Sequence, residues 1–152
     1  MKKTLLLALV VSGCGDAVSP PPPPMRVTIT STTTSPTAWN ENTQRFECYW
    51  TFTATASGGS VGPNGGDAAT WFSGEYEYRY EGGATYAWDL SAEYLTSLWG
   101  SSRIYTGAVL TKPVYSWDSS IPPSRFINIQ YSFRLQIPDL SLIRIPVLVN
   151  CA

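Results

Sequence analysis

Residues 125–137 constrain the fold more than any other stretch of the chain. Ile127, Ile129, Tyr131, Phe133, Leu135 and Ile137 alternate without a break with Asn128, Gln130, Ser132, Arg134 and Gln136. Successive side chains of an extended strand point to opposite faces, so a period of two over this length predicts a half-buried strand. The same pattern over 44–56 puts Phe46, Cys48, Trp50 and Phe52 on one face, with Glu47, Tyr49, Thr51, Thr53 and Thr55 on the other. Over 142–151 it groups Ile143, Ile145, Val147, Val149 and Cys151, with Pro146 on the opposite face, where proline suggests an edge or a bulge. Shorter strands are expected at 26–31, 69–80, 85–88 and 102–111, the last interrupted by Lys112 and Pro113. One short helix fits between them. Asp89 or Ser91 would cap it, Glu93 would lie in its first turn and Gly100 would end it, with Leu90, Tyr94, Leu95 and Leu98 as its apolar stripe.

About seven short strands separated by turn signals imply two packed antiparallel sheets. The composition agrees, because six Trp, nine Tyr and five Phe accompany abundant threonine, and such side chains suit a pleated surface. The expected fold is therefore all-β, a two-sheet antiparallel β-sandwich with at most one short helix, filling residues 26–152. At the level of fold class it resembles immunoglobulin-like and fibronectin-III-like sandwiches, a likeness that carries no function. One parity conflict stands within 69–80. Trp71 falls on one face, and Tyr76, Tyr78 and Tyr80 fall on the other. All four can face inward only if an extra residue intervenes, and Ser73-Gly74 is the natural place for such a bulge.

The N-terminus reads differently. Lys2 and Lys3 precede an apolar run, Leu5 to Val11, that is too short to cross a bilayer, which needs roughly 20 residues. Basic residues before a short apolar run describe a signal peptide. The run closes on Val11-Ser12-Gly13-Cys14, which resembles the lipobox of bacterial lipoprotein precursors. That resemblance implies a signal peptide at 1–13, diacylglyceryl transfer to the Cys14 sulfur, cleavage before Cys14 and acylation of the new amino group. Several acyl chains hold a protein on a membrane stably. In enterobacterial lipoproteins an aspartate directly after the cysteine favours inner-membrane retention. Here Asp16 stands one place later, and the expectation is the outer membrane. Five prolines, Pro20 to Pro24, then form an extended, semi-rigid spacer within a 14–25 tether.

With Cys14 taken by lipid, Cys48 and Cys151 remain as a pair in an oxidising compartment. Parity places both on the apolar faces of their strands, so a buried disulfide between them is expected.

The chain offers little chemistry. It contains no histidine, which removes the commonest general base and the commonest metal ligand together. Of ten basic residues, Lys2 and Lys3 leave with the signal peptide, so eight face eleven acidic ones and the mature charge is about −3. No basic stripe exists to neutralise phosphates, so nucleic acid is not an expected partner. Glu75 and Glu77 share a strand face about 7 Å apart, within the range of paired glycosidase carboxylates, but they read as a solvated face beside Arg79. No cofactor, metal site or enzyme activity is expected.

The aromatic surplus is what remains. Trp50, Trp71 and Phe133 read as core. Tyr49, Trp39, Trp117 and the Tyr76, Tyr78, Tyr80 row are less clearly core. Glu75, Glu77 and Arg79 resist burial and so favour the three tyrosines for the buried face. Without a bulge the three tyrosines form an exposed ladder, and with Tyr49 and Trp117 they are the candidate binding surface. The reading is an exported, lipid-anchored envelope protein that acts as a non-catalytic interaction or accessory module for a protein partner. A carbohydrate-binding domain for cell-wall or extracellular glycan is the alternative, and it requires a coplanar row of exposed rings. The lipid expectation is checked by the intact mass of membrane-extracted protein. Its N-terminus should be acylated Cys14, and Cys14→Ser should leave the membrane fraction. A Cys14→Ser protein still held on the membrane would refute it.

Overall fold

A computed structural model describes residues 19–61, 65–80, 82–83, 85–118 and 126–151, with the backbone alone at 115–118, 126 and 127. The signal peptide, Cys14 and the start of the tether lie outside the described residues. The described chain forms eight strands and one helix: β1 Arg26–Asn40, β2 Arg45–Ser57, β3 Ala68–Tyr80, β4 Thr85–Ser91, α1 Ala92–Trp99, β5 Arg103–Tyr105, β6 Val109–Asp118, β7 Phe126–Gln136 and β8 Leu142–Val149. Two antiparallel sheets pack as a sandwich. One has the order β1-β2-β6, the other β4-β3-β7-β8, with β5 also pairing to β3.

The core follows from the alternating strands. Cys48, Trp50, Phe52, Ala54 and Ala56 of β2 face Ile129, Tyr131, Phe133 and Leu135 of β7, and all are buried. Phe52 meets Tyr131 and Phe133 edge-on, with ring centroids 4.9 and 5.5 Å away. Each fully buried ring or branched side chain contributes roughly 1.5–3 kcal/mol by leaving water. Beside them Trp71 of β3 stacks on Trp99 of α1, centroids 5.0 Å apart at 14°. The helix is set as its sequence suggests. The Ser91 hydroxyl accepts a hydrogen bond from the Tyr94 amide, and Gly100 closes the helix with φ 70°. Its buried side chains are Leu95 and Trp99, whereas Tyr94 points outward.

Three strands depart from the sequence reading. β1 continues well past residue 31, because its polar second half pairs with β2 through register shifts between Thr33 and Ser35 and between Ser35 and Ala38. The one strand expected at 102–111 is two, β5 in one sheet and the start of β6 in the other, parted at 106–108, and β6 runs on through Lys112 and Pro113, the latter opposite Thr51. It is the edge of its sheet, where a missing amide donor leaves no ladder bond unmade. In β2, Glu47 was expected outside and is buried. Its carboxylate accepts hydrogen bonds from Tyr49 Oη at 2.5 Å, Asn40 Nδ2 at 2.7 Å and Thr43 Oγ1 at 2.7 Å, closing the β1–β2 hairpin. Those bonds, Tyr49's first, hold the carboxyl below its ordinary range.

The sheets are joined at one side by β1 and β8. Ser31 Oγ and Thr33 Oγ1 donate to the carbonyls of Leu148 and Asn150, both at 2.6 Å, and the Thr37 amide donates to the Cys151 carbonyl at 2.8 Å. Next to this seam Cys48 and Cys151 form a buried disulfide, Cα atoms 5.8 Å apart, that links β2 to the end of β8. The spacer docks at the other end of β1. The Gly59 amide donates to Pro23 O at 2.6 Å, Met25 is buried, and a Cβ on Gly58 would collide with Pro24 O. The packed body thus takes in Pro23 to Met25.

The disulfide spans 103 residues of sequence. Replacing both cysteines by serine should lower unfolding stability by about 2–5 kcal/mol, read from denaturant midpoints. An unchanged midpoint would show that the seam and core hold the sheets together without it.

Candidate interaction surface

A single register shift decides which way β3 presents its rings. Between Trp71 and Ser73 the pairing of β3 with β7 slips, leaving Phe72 as the extra residue, 52% exposed. The bulge lies one position before Ser73-Gly74. It turns Trp71, Gly74, Tyr76, Tyr78 and Tyr80 to one face, the inner one. Glu75, Glu77 and Arg79 consequently occupy the outer face. There Glu77 pairs with Arg79 at 3.1 Å, and Glu75 binds Arg144 of β8, which also donates to Ser132 Oγ at 2.5 Å. The acids of β3 are thus engaged by guanidinium groups on an exposed face.

On the inner face the strands set aromatic side chains in register. Tyr76 lies opposite Tyr131 of β7 on one side and Trp88 of β4 on the other; Tyr78 lies opposite Tyr86. Tyr131, Tyr76 and Trp88 stack in sequence, with centroids 5.4 and 5.1 Å apart at 27° and 17°. Tyr78 meets Tyr76 and Trp88 edge-on, and Tyr80 meets Tyr86 edge-on at 5.9 Å. The column begins buried and ends in solvent. Tyr131 and Tyr80 are buried, Tyr76 and Tyr78 half-buried, while Trp88 is 45% and Tyr86 56% exposed. Burial, reinforced by neighbouring phenols, raises the pKa of Tyr131, and burial with nearby Tyr94 raises that of Tyr76. Both are neutral phenols at physiological pH, unsuited to general-base work.

Sheet widths explain why the column surfaces. β1 lies along β8 and β2 packs on β7, so a three-stranded sheet runs out before it reaches β4, the fourth strand of its partner. Thr85 to Asp89 are all exposed. Among the described residues β4 is also an edge of its sheet, paired only with β3. Sheet edges ordinarily carry devices that block further pairing, such as proline, lysine or bulges. Here β1 has Pro36 and two register shifts, β6 has Lys112 and Pro113, and β8 has Pro146. β4, Thr-Tyr-Ala-Trp-Asp-Leu-Ser, has neither proline nor lysine and pairs with β3 in an unbroken register.

Of the residues singled out from the sequence, the structure brings Tyr76, Tyr78 and Tyr80 together in this column. Tyr49 lies on the other sheet, 40% exposed and bonded to Glu47. The backbone of Trp117 lies opposite Glu47, and its side chain is outside the described part. The exposed end, Tyr86 and Trp88, was missed as a site. Its signal was an aromatic at alternate positions of a short strand directly after the tyrosine row. Elsewhere an open groove of about 270 Å³ lies among Asp67, Thr70, Arg103, Gln136 and Pro138. Among the described residues no three His, Cys, Asp or Glu side chains cluster as a metal site would require. Nor is any helix among them long and apolar enough to cross a membrane.

No family model and no curated protein matches the chain. Among solved structures, a protein assigned as ApaA from Bordetella pertussis is similar, with 11% identity, 86% of this chain and 95% of that chain covered, and a TM-score of 0.49. A likeness at that level says nothing of what this chain binds or does.

Proposed function

We propose that this chain is a non-catalytic interaction module of the cell envelope, held there by lipid on Cys14 and binding a protein partner through the β4 edge. The observation that carries the reading is the aromatic column, which rises from the core at Tyr131 and ends in solvent at Trp88 and Tyr86, on a seven-residue sheet edge that has neither proline nor lysine. An open edge offers main-chain donors and acceptors to an extended segment, and adjacent rings supply contact area at low entropic cost. The Cys48–Cys151 bond fits an extracytoplasmic compartment. The docked proline segment would give the tether a fixed exit from the body. A chain without histidine is poorly equipped for acid–base catalysis.

The geometry favours protein over glycan. Sugar platforms use coplanar rings whose faces are free. At 5.4 and 5.1 Å Tyr131 and Trp88 cover both faces of Tyr76, so the rings form a stack that runs into the core and not an open row, and only its end, Trp88 beside Tyr86, reaches solvent.

A photo-reactive amino acid placed at Tyr86 of the membrane-resident protein should give discrete protein adducts. The same group at Leu148, exposed on the opposite face of the sheet, should give none. Tyr86→Ser with Trp88→Ser should remain folded, losing about 1–2 kcal/mol of cross-strand stacking, and should abolish partner capture. Equal adducts from both positions, or none from Tyr86, would reject the assignment of this surface.

A further inference from the structure

We infer that the β4 edge pairs with the β4 edge of a second copy of this chain, antiparallel about a two-fold axis at Ala87. The inference rests on the interaction surface proposed above and names its occupant.

The strand is self-complementary in that register. A two-fold axis at Ala87 sets Tyr86 opposite Trp88 of the second copy, twice, and Thr85 opposite Asp89, twice. On the inner face the row Tyr131, Tyr76, Trp88 then continues into Tyr86 and Tyr78 of the second copy, since Tyr78 lies opposite Tyr86 in β3–β4. Directly opposed aromatic pairs are among the favourable cross-strand contacts. On the outer face Arg79 lies opposite Thr85. Thr85 would in turn lie opposite Asp89 of the second copy. That carboxylate would stand two strand spacings from Arg79, about 9.6 Å, within a guanidinium's span. No like charges oppose one another across the seam, and the small Ala87 side chain occupies the axis. An isologous contact of this kind closes on itself and stops at two copies. With a seven-residue edge strand the interface is small, so association in dilute detergent is weak and a covalent trap is the fitting readout.

Antiparallel partners have Cα atoms about 4.5 or 5.5 Å apart, and either distance suits a disulfide. Ala87→Cys in the full-length exported protein should therefore yield a covalent dimer on mild oxidation. Thr85→Cys should not, because its own symmetry mate would be about 13 Å away along the strand. Adding Trp88→Lys to Ala87→Cys should cut the dimer yield at least tenfold, with the Cys48–Cys151 bond and the β-type circular dichroism intact. Absence of dimer from folded Ala87→Cys, or equal dimer from Thr85→Cys, overturns the inference. Adducts at Tyr86 to a different protein, with no Ala87→Cys dimer, would keep the surface and remove the second copy as its occupant.

Discussion

An extra residue in β3 sets the arrangement of everything around it. Phe72 bulges out of the pairing with β7, and the strand changes parity there. Before the bulge, Trp71 reaches into the core and stacks on Trp99, fixing the short helix. After it, Tyr76, Tyr78 and Tyr80 also turn inward, and the charged alternates go out, Glu75 to Arg134 and Arg144 and Glu77 to Arg79. Without that residue a slip of one position would send either the tryptophan or the three tyrosines to the opposite face. The bulge thus lets one strand serve both the packed centre of the sandwich and the aromatic column that leaves it.

The second constraint is a mismatch of widths. Among the described strands β1 lies along β8 and β2 packs on β7, α1 packs on β3 through Trp99, and none of the three-stranded sheet's described strands remains for β4. Polar residues on an uncovered strand would be unremarkable in water. Here Tyr86 and Trp88 occupy it, Trp88 stacked on half-buried Tyr76 and Tyr86 edge-on to buried Tyr80, and each still leaves about half of its surface in water. On the edges formed by β1, β6 and β8, Pro36, Lys112, Pro113 and Pro146 obstruct pairing. The disulfide and the hydroxyl bonds from Ser31 and Thr33 close the far side of the sandwich, which leaves β4 as the open side.

Much of this was legible in the residues themselves. Alternation located β2, β7 and β8 to within a few residues, because each buries one face and exposes the other. Ser91 and Gly100 marked the helix ends by their capping chemistry. The conflict between Trp71 and the tyrosines demanded a bulge, which lies one residue from where the glycine pointed. The second half of β1 was illegible, since Thr-Thr-Thr-Ser-Pro-Thr has no apolar period and becomes a strand only by pairing with β2. Pro113 concealed β6, because a single sequence does not say which strands are edges. The buried Glu47 was hidden too, as its three hydrogen-bond donors converge only in the folded hairpin. The column was half visible. Parity identified its buried half on β3, but the exposed half depends on strand order and on the width of the opposing sheet, which are properties of topology.

If the β4 edge is an interaction surface, it is occupied where the protein works. With the lipid anchor proposed above, amide hydrogen exchange of residues 85–89 is compared most directly between protein on the membrane and the same protein diluted in detergent. Protection on the membrane of those amides of 85–89 that do not bond to β3, lost on dilution while the β7 amides stay protected in both states, is the expected result. Amides of 85–89 that exchange equally fast in both states would contradict the claim that this edge is an interaction surface.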